Sequence, residues 1–146
     1  MKNNILIFIL FILLCSSCIF ISSCNKEPGK GGNSSIKGNI WQKDCGDKFN
    51  DTIPYEHAGA DIDVYIIYGN EVSYGDRIKT DYEGDFEFKY LRKGSYKVYF
   101  YSVDSTLLTG ATNTPPIPEI AIVKEVEITK RKQTVDAGKM TVFKAQ

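Results

Sequence analysis

The segment TDYEGDFEF, residues 80–88, decides the fold of this chain. After Gly84 it alternates phenylalanine with acidic residues, and a period of two is typical of a strand with one buried face. The glycine stands where a tight turn between two strands needs a left-handed residue. The segment therefore predicts a hairpin in which one strand ends at Asp81 and the next begins at Asp85.

The same period of two continues through residues 36–146, and no window shows a helical stripe. The alternating apolar positions are Ile36, Gly38 and Ile40; Ile62, Val64 and Ile66; Tyr96, Val98 and Phe100; and Ile120, Ile122, Val126 and Ile128. Lys124 interrupts the last series, which predicts a bulge or two shorter strands. The parity of the apolar positions changes across Gly138, which predicts a second bulge or a bend. Short strands separated by glycine-containing turns favour an all-β fold, a single antiparallel β-sandwich of about seven strands.

Further turns and two long loops complete the predicted layout. Gly69-Asn70 is expected to close one hairpin, and residues 92–95 form a glycine-containing turn before the next strand. The long loops are expected at residues 42–60 and 104–118. The second loop is rich in proline, which cannot join a central ladder.

The composition fits one folded domain. The 146 residues are 42% hydrophobic and 25% charged, which excludes disorder over the whole chain, and this length allows a single domain. Lys and Arg together number 18, as do Asp and Glu. Because this balance gives no broad basic surface, we expect no nucleic-acid partner.

Residues 1–23 have the layout of a secretory signal peptide. Lys2 precedes an unbroken apolar run over residues 5–14, and small residues follow that run. The alternative is a transmembrane helix. Residues 5–21 reach only the short limit for spanning hydrocarbon, and Cys and Ser side chains interrupt them.

The segment FISSC, residues 20–24, resembles the bacterial lipobox. In that motif an aliphatic residue and two small residues precede a cysteine whose thiol receives a diacylglyceryl group. Cleavage before the cysteine then frees its amine for a further acyl chain. The resemblance implies a lipid anchor on Cys24 and a place on a bacterial envelope membrane, expected to be the outer membrane on its periplasmic or surface face. Two or three acyl chains anchor a protein durably.

Residues 24–35 are expected to carry the lipid and to form a flexible tether to a folded domain at 36–146. The run NKEPGKGGNSS has no large apolar side chain. Such a composition cannot offset the entropy that the chain loses on ordering. A glycine-rich tether of this length has a root-mean-square reach of about 17–20 Å.

The turn segment at 80–88 continues into Leu91, Gly94, Tyr96 and Val98. These residues follow the patterns T-D-x-x-G-x-F-x-F and L-x-x-G-x-Y-x-V, and the chain resembles the carboxypeptidase regulatory-like domain of the transthyretin-like (prealbumin-type) group. The resemblance implies an Ig-like or transthyretin-like sandwich. It implies no catalytic residue, because each fixed position of the motif is a turn glycine, a core aromatic or a strand residue. Members of that family are typically accessory or binding modules of envelope and secreted proteins.

We expect a protein without catalytic activity. His57 is the only histidine, no G-x-S-x-G elbow is present, and no second base could complete a triad. The alternative is an envelope enzyme or metal-dependent module that uses Cys45 and His57, with Asp44, Asp47 and Asp51 beside them. Structural zinc sites usually bring paired Cys or His at short spacing, which this loop lacks. Cys45 is then either a free thiol or a partner in an intermolecular disulfide.

A weak calcium site is a further alternative at the central turn. Asp81, Glu83, Asp85 and Glu87 would supply oxygen ligands, but Gly84 does not occupy the sixth position that an EF-hand loop requires. The other interpretation is a solvated turn whose acidic side chains face nearby lysines. No other cofactor is expected apart from the covalent lipid.

A contact surface is predicted on the outer face of the strands. Because alternate residues of a strand point to opposite faces, Tyr99 and Tyr101 should point outward, as should Tyr65 on its own strand. Exposed aromatic residues clustered on one sheet are typical of a contact with a glycan or a protein. The alternative is that a loop covers these rings, since strand order cannot be read from the sequence. We therefore predict Tyr65, Tyr99 and Tyr101 as binding residues for an envelope protein or glycan.

Overall fold

The computed structural model describes residues 27–45, 55–105 and 118–145, which form two β-sheets packed face to face. The strands are β1 Lys30–Cys45, β2 Tyr55–Ala58, β3 Asp63–Tyr68, β4 Asp76–Lys79, β5 Asp85–Leu91, β6 Gly94–Val103, β7 Glu119–Ile128 and β8 Thr134–Ala145. These three ranges contain no helix. The predicted all-β sandwich is confirmed, with eight strands in the described residues against about seven expected.

Sheet A is built around the long strand β1. Along one edge, β1 pairs with β5 through residues 30–39 and with β2 through residues 41–44, and β8 pairs along its other edge. Sheet B has the order β4-β3-β6-β7 and is antiparallel throughout. The pair β1–β8 departs from the predicted antiparallel arrangement, because these two strands run parallel. A parallel pair needs a long connection, and here that connection contains the other six strands.

The core between the sheets comes from the alternating positions that the sequence predicted. Alternate side chains of each strand point to one face, so a period of two fills a single layer. The side chains with almost no exposed surface are Ile36, Ile40, Val64, Ile66, Phe88, Leu91, Tyr96, Val98, Phe100, Ile128 and Val142.

The segment at 80–88 forms a corner between the two sheets and not the predicted hairpin. β4 belongs to sheet B and β5 to sheet A, so the chain changes sheet at the turn. Gly84 is left-handed as predicted, with φ +81°, and a Cβ there would overlap the carbonyl oxygen of Ile40. Asp81 fixes the corner, since its Oδ1 accepts hydrogen bonds of 2.9 Å from two backbone N–H groups of the turn. The hairpin prediction was wrong because sheet membership is not a local property of the sequence.

The folded domain starts earlier than predicted. β1 begins at Lys30, so residues 30–35 belong to sheet A and not to a free tether. Small residues here permit close packing, since a Cβ at Gly32 would overlap the backbone of Leu91. Ser34 is buried in the same stretch. The glycine and serine content therefore reflects the approach of β5 to the β1 backbone and not freedom of the chain.

The residues before β1 are packed at one end of the sandwich. Pro28 lies directly over Gly94, leaving no room for a side chain at that position. Gly29 donates its N–H to the hydroxyl of Tyr96 at 3.0 Å, and its carbonyl accepts the N–H of Arg92 at 2.9 Å. The same hydroxyl donates to the carbonyl of Arg92 at 2.7 Å, as in the tyrosine corner of β-sandwiches.

One of the two predicted bulges is present. At Gly138, with φ +82°, the register of β8 against β1 shifts by one residue, which confirms the prediction. The bulge or break expected at Lys124 was wrong, because β7 pairs with β6 in one continuous register. Lys124 is exposed and needs no bulge, because the strand has only two buried residues, Val126 and Ile128, and both come after it.

The two long loops are only partly described. β1 continues to Cys45 and β2 occupies residues 55–58, so the first loop is shorter than the expected 42–60. The strands β3 and β4 pair as the hairpin predicted at Gly69-Asn70. The predicted signal peptide, Cys24 and most of the second long loop lie outside the described residues.

Candidate functional site

Tyr65, Tyr99 and Tyr101 lie together on the outer face of sheet B. Tyr65 and Tyr99 are register partners, and their rings stack with centroids 5.0 Å apart and an interplanar angle of 14°. The ring of Tyr101 meets both edge-on, at 6.0 Å from Tyr65 and 5.8 Å from Tyr99. These separations fall within the range of favourable aromatic pairs. The structure thus brings the three predicted binding residues into one cluster.

The local sequences of β3 and β6 place these rings. Val64 and Ile66 are fully buried, so Tyr65 between them points away from the core. On β6 the same alternation turns Tyr99 and Tyr101 outward. The antiparallel register of β3 with β6 then aligns the tyrosines across the strands, and such cross-strand aromatic pairs stabilise a sheet.

Two further residues extend the cluster. Tyr74 meets Tyr65 edge-on at 5.2 Å, and its side chain is 53% exposed. Val123 of β7 is the register partner of Tyr99 and is 52% exposed. Tyr101 itself is 48% exposed, so the described part of the chain leaves much of the cluster open. We call this surface the tyrosine face; its members are Tyr65, Tyr74, Tyr99, Tyr101 and Val123.

Sequence reasoning missed Tyr74 and Val123 for different reasons. Tyr74 lies in the β3–β4 connection, where no alternation assigns a face. The predicted hairpin at Gly69-Asn70 could have indicated its position, because the returning chain passes beside Tyr65. Val123 follows the outward parity of β7. Its place beside Tyr99 depends on the pairing of β6 with β7, which no local pattern encodes.

Charged and hydroxyl groups border the tyrosine face. Arg77 of β4 lies opposite Tyr65. A hydrogen bond to the Tyr65 side chain, together with the Asp63 carboxylate 3.7 Å away, raises the pKa of Arg77. Burial raises the pKa of the Tyr99 hydroxyl. A tyrosine hydroxyl is protonated at neutral pH even without such a shift, and it can donate a hydrogen bond to a partner.

A cavity of about 620 Å³ lies on the other side of the molecule, on sheet A beside the Gly138 bulge. Its charged lining residues are Lys37, Asp81, Asp85, Glu87, Asp136 and Lys139. Two of the four carboxylates of the calcium alternative make hydrogen bonds within the corner, since Asp85 accepts one of 2.7 Å from Asn39 and Asp81 caps the turn. Within the described ranges, no group of three or more His, Cys, Asp or Glu is placed to hold a metal ion.

The metal-module alternative depends on Cys45 and His57. In the structure, His57 Nδ1 lies 2.8 Å from the carbonyl of Ala58, and Nε2 lies 3.0 Å from Asp44 Oδ2. The hydrogen bond to Ala58 and then that to Asp44 raise the pKa of His57. Both ring nitrogens are therefore engaged by protein oxygens. The side chain of Cys45 and residues 46–54 lie outside the described residues.

The predicted lipid attachment at Cys24 also lies outside the described residues. Glu27, three positions later, is the first residue that the structure describes. In the part of the chain from there onward, no described helix is long and apolar enough to cross a membrane.

Comparison with known proteins identifies no family. No protein-family model and no curated protein matches the chain. A solved structure from Pseudomonas aeruginosa, named as a proposed carbohydrate binding protein, matches with 11% identity and a TM-score of 0.44, over 86% of this chain and 98% of that one. The minor pilin of Streptococcus agalactiae matches with 12% identity and a TM-score of 0.31, over 75% of this chain and 44% of the pilin.

A 9R-lipoxygenase from Cyanothece PCC8801 also matches, with 16% identity and a TM-score of 0.33, over 82% of this chain and 19% of the enzyme. This chain thus spans less than half of the pilin and about a fifth of the lipoxygenase. At such low identities and TM-scores, none of the three similarities assigns a ligand or a partner. The resemblance to the carboxypeptidase regulatory-like domain stays a prediction.

Proposed function

We propose that this chain is a lipid-anchored bacterial envelope protein with a non-catalytic binding module, and that the tyrosine face is its contact surface. The observation that carries the proposal is the cluster of four tyrosine rings on one exposed sheet face. Tyrosine is enriched in protein interfaces because its ring buries a large apolar area while its hydroxyl keeps a hydrogen-bonding partner. Contiguous exposed apolar surface marks an interaction site, and the described residues leave Tyr74 and Tyr101 about half exposed.

The shape of the tyrosine face favours a protein partner. Tyr65 and Tyr99 stack on each other, so they present ring edges and hydroxyls outward. Small ligands bind in concave sites, whereas this face extends over β3, β6 and β7 of an open sheet. A flat protein surface can cover all of its members at once. A glycan is the competing partner, since it would use the half-exposed rings of Tyr74 and Tyr101.

The lipid anchor is tested at Cys24. We expect the wild-type protein to incorporate a palmitate analogue and to sediment with membranes. Cys24→Ala should lose the label and leave the detergent phase, because only an acylated cysteine binds the bilayer durably. Unchanged labelling and partitioning of the variant would refute the anchor while leaving the tyrosine face untested, so the binding experiment is done separately.

The contact surface is tested with Tyr99→Ala/Tyr101→Ala in the full chain. In cross-linking on intact envelopes followed by affinity measurement with the captured protein, the double variant should bind at least about tenfold more weakly, as expected for two interface tyrosines. Tyr82→Ala/Tyr90→Ala is the matched control, because these exposed tyrosines (95% and 70%) lie away from the tyrosine face. Equal binding by wild type and the first variant, with unchanged circular dichroism, would overturn the proposal. If the wild type binds a purified glycan and the first variant loses that binding, the surface is reassigned to a glycan partner.

A further inference from the structure

The chain between Cys24 and the fold is too short to act as a spacer. Pro28 is already packed on Gly94, so four residue steps separate it from Cys24. A fully extended chain covers about 3.3–3.6 Å per residue, which limits this connection to about 14 Å. An acyl chain on Cys24 would therefore hold the end of the sandwich that contains Pro28 at the membrane surface.

Four segments meet at that end, which we call the anchor end. They are residues 27–30, the β3–β4 connection 69–75, the β5–β6 turn 92–93 and the β7–β8 turn 129–133. Gly69 contacts Pro28 and donates its N–H to the carbonyl of Ser95 at 2.9 Å. Gly94, which also contacts Pro28, pairs with Ile128, the last residue before the fourth segment.

The anchor end is cationic although the chain as a whole is neutral. Its basic side chains are Lys30, Arg92, Lys93, Lys130, Arg131 and Lys132, and its carboxylates are Glu27 and Glu71. Asp76 of β4 pairs with Lys30 at 2.8 Å. Among the described residues, no salt bridge neutralises Lys93, Lys130, Arg131 or Lys132, all of which are exposed.

The corner at the other end of β5 has the opposite charge. β5 runs from this corner, residues 81–85, toward the anchor end, and β1 extends past the corner to Cys45 beside β2. The corner contains Asp81, Glu83 and Asp85 and no basic residue. Among the described residues, basic side chains are thus concentrated where the chain leads to Cys24, and the corner at 81–85 is acidic.

We propose that the anchor end is a membrane-contact surface for anionic lipid headgroups, and this rests on the proposed lipid anchor at Cys24. Each Lys or Arg close to an anionic membrane strengthens binding by about fivefold, and a basic patch supplements acyl chains in membrane attachment. Val72, whose side chain is fully exposed in the connection 69–75, adds an apolar contact at the same end. The sheet strands then stand on the membrane, and the tyrosine face points sideways, free to meet another envelope protein.

The test measures which end of the reconstituted protein lies at the lipid. The full chain, with Cys45→Ser, carries a fluorophore at Asn70→Cys in the anchor end or at Glu83→Cys in the corner at 81–85, in vesicles that contain a headgroup quencher. In phosphatidylglycerol-containing vesicles we expect at least twofold stronger quenching at position 70 than at position 83. Lys93→Glu/Lys130→Glu/Arg131→Glu should reduce this difference to the part that the short connection to Cys24 produces alone. The control Lys37→Glu/Lys124→Glu/Lys144→Glu changes the net charge equally, on exposed residues outside the anchor end, and should preserve it.

Three results would overturn the membrane contact. These are equal quenching at the two positions, an equal effect of the two triple variants, or the same difference in pure phosphatidylcholine vesicles. Intact mass of the purified protein reads the anchor separately: without acyl chains, the anchor proposal fails. Sedimentation of that unacylated protein with phosphatidylglycerol vesicles then tests the anchor end by itself. Binding that is lost in the first triple variant supports the membrane contact. Absence of binding by the wild type refutes it. Equally tight binding to DNA would reassign the patch to polyanions in general and overturn the lipid proposal.

Discussion

Gly84 and Gly138 have the same left-handed backbone but different surroundings. Their φ angles are +81° and +82°. A Cβ at Gly84 would overlap the carbonyl oxygen of Ile40, whereas no atom lies within 4 Å of a Cβ at Gly138. The two positions therefore separate the cost of a left-handed conformation from the cost of steric overlap.

We expect Gly138→Ala to lower the free energy of unfolding by about 1–2 kcal/mol, the usual cost of a left-handed residue with a Cβ. Gly84→Ala should cost clearly more, because the corner or the β1 backbone at Ile40 must also move. Urea denaturation of both variants measures the difference. Equal losses would mean that β1 does not approach the corner as closely as the structure shows.

The His57–Asp44 contact should make stability depend on pH. The hydrogen bonds to Ala58 and Asp44 raise the pKa of His57 above its ordinary value of 6.5. A group whose pKa rises on folding binds its proton more tightly in the folded state. It therefore stabilises the fold fully below about pH 6.5, and this contribution is lost as the pH rises through the folded pKa.

The variant His57→Gln should accordingly lose more stability relative to wild type at about pH 5.5 than at about pH 8.5. The effect should be modest, because 35% of the His57 side chain is exposed to solvent, which screens the pair. Urea denaturation at both pH values measures it, and Asp44→Asn should reduce the same pH dependence without removing it, because the hydrogen bond to Ala58 remains. A constant difference between wild type and His57→Gln would show that the imidazole makes no charged contact in the fold.

At the scale of elements, the sequence predicted those strands whose apolar positions alternate against a covered face. β3 follows the pattern at its buried positions, β6 follows it as far as Ser102, and β5 follows it as far as Lys89. In β5 the alternation breaks at Tyr90, which is exposed with φ +61°, and Leu91 is buried. The first six residues of β1 were missed, because their small side chains serve close packing on Leu91 and resemble a linker in composition. β7 was predicted with a break because Lys124 lies in an exposed part of an otherwise regular strand.

The candidate site was likewise predicted only where local alternation determines the direction of a side chain. Alternation was sufficient to turn Tyr65, Tyr99 and Tyr101 outward, since that depends only on the residues beside them. Their contact depends on the register between β3 and β6, which the sequence does not encode locally. For Tyr74 there was no alternation to predict its direction, because it lies between strands.

The start of β1 depends on one buried hydroxyl. Tyr96 Oη accepts the N–H of Gly29 and donates to the carbonyl of Arg92. Tyr96→Phe leaves both backbone groups without this partner, so we expect a loss of about 1–3 kcal/mol and faster amide exchange at Gly29. Tyr82→Phe is the control, because its ring is 95% exposed. Unchanged exchange at Gly29 in Tyr96→Phe would show that the packing of Pro28 and the hydrogen bond from Arg92 to the Gly29 carbonyl hold this segment without the hydroxyl.

The whole molecule is closed by the first and last strands. β8 returns to lie beside β1 after the chain has built all of sheet B, so this parallel pair joins residues far apart in sequence. Such non-local pairing cannot form before the intervening strands are placed, and it slows folding. The basic residues of the anchor end likewise come from three separate segments, so the overall charge count does not reveal that they lie together.

A chain that ends at Ala137 should fail to fold. It lacks Met140 and Val142 of the core and leaves residues 39–45 of β1 without a neighbour along that edge. Losing one large core side chain costs about 2–5 kcal/mol, while a domain of this size has only about 5–15 kcal/mol of stability. A chain that ends at Lys144 keeps both core residues and should show a cooperative thermal transition by circular dichroism, whereas the shorter chain should show none. A cooperative transition in the shorter chain would mean that β1 is held by β2 and β5 alone, and that β8 only adds an edge strand to a sheet that is already stable.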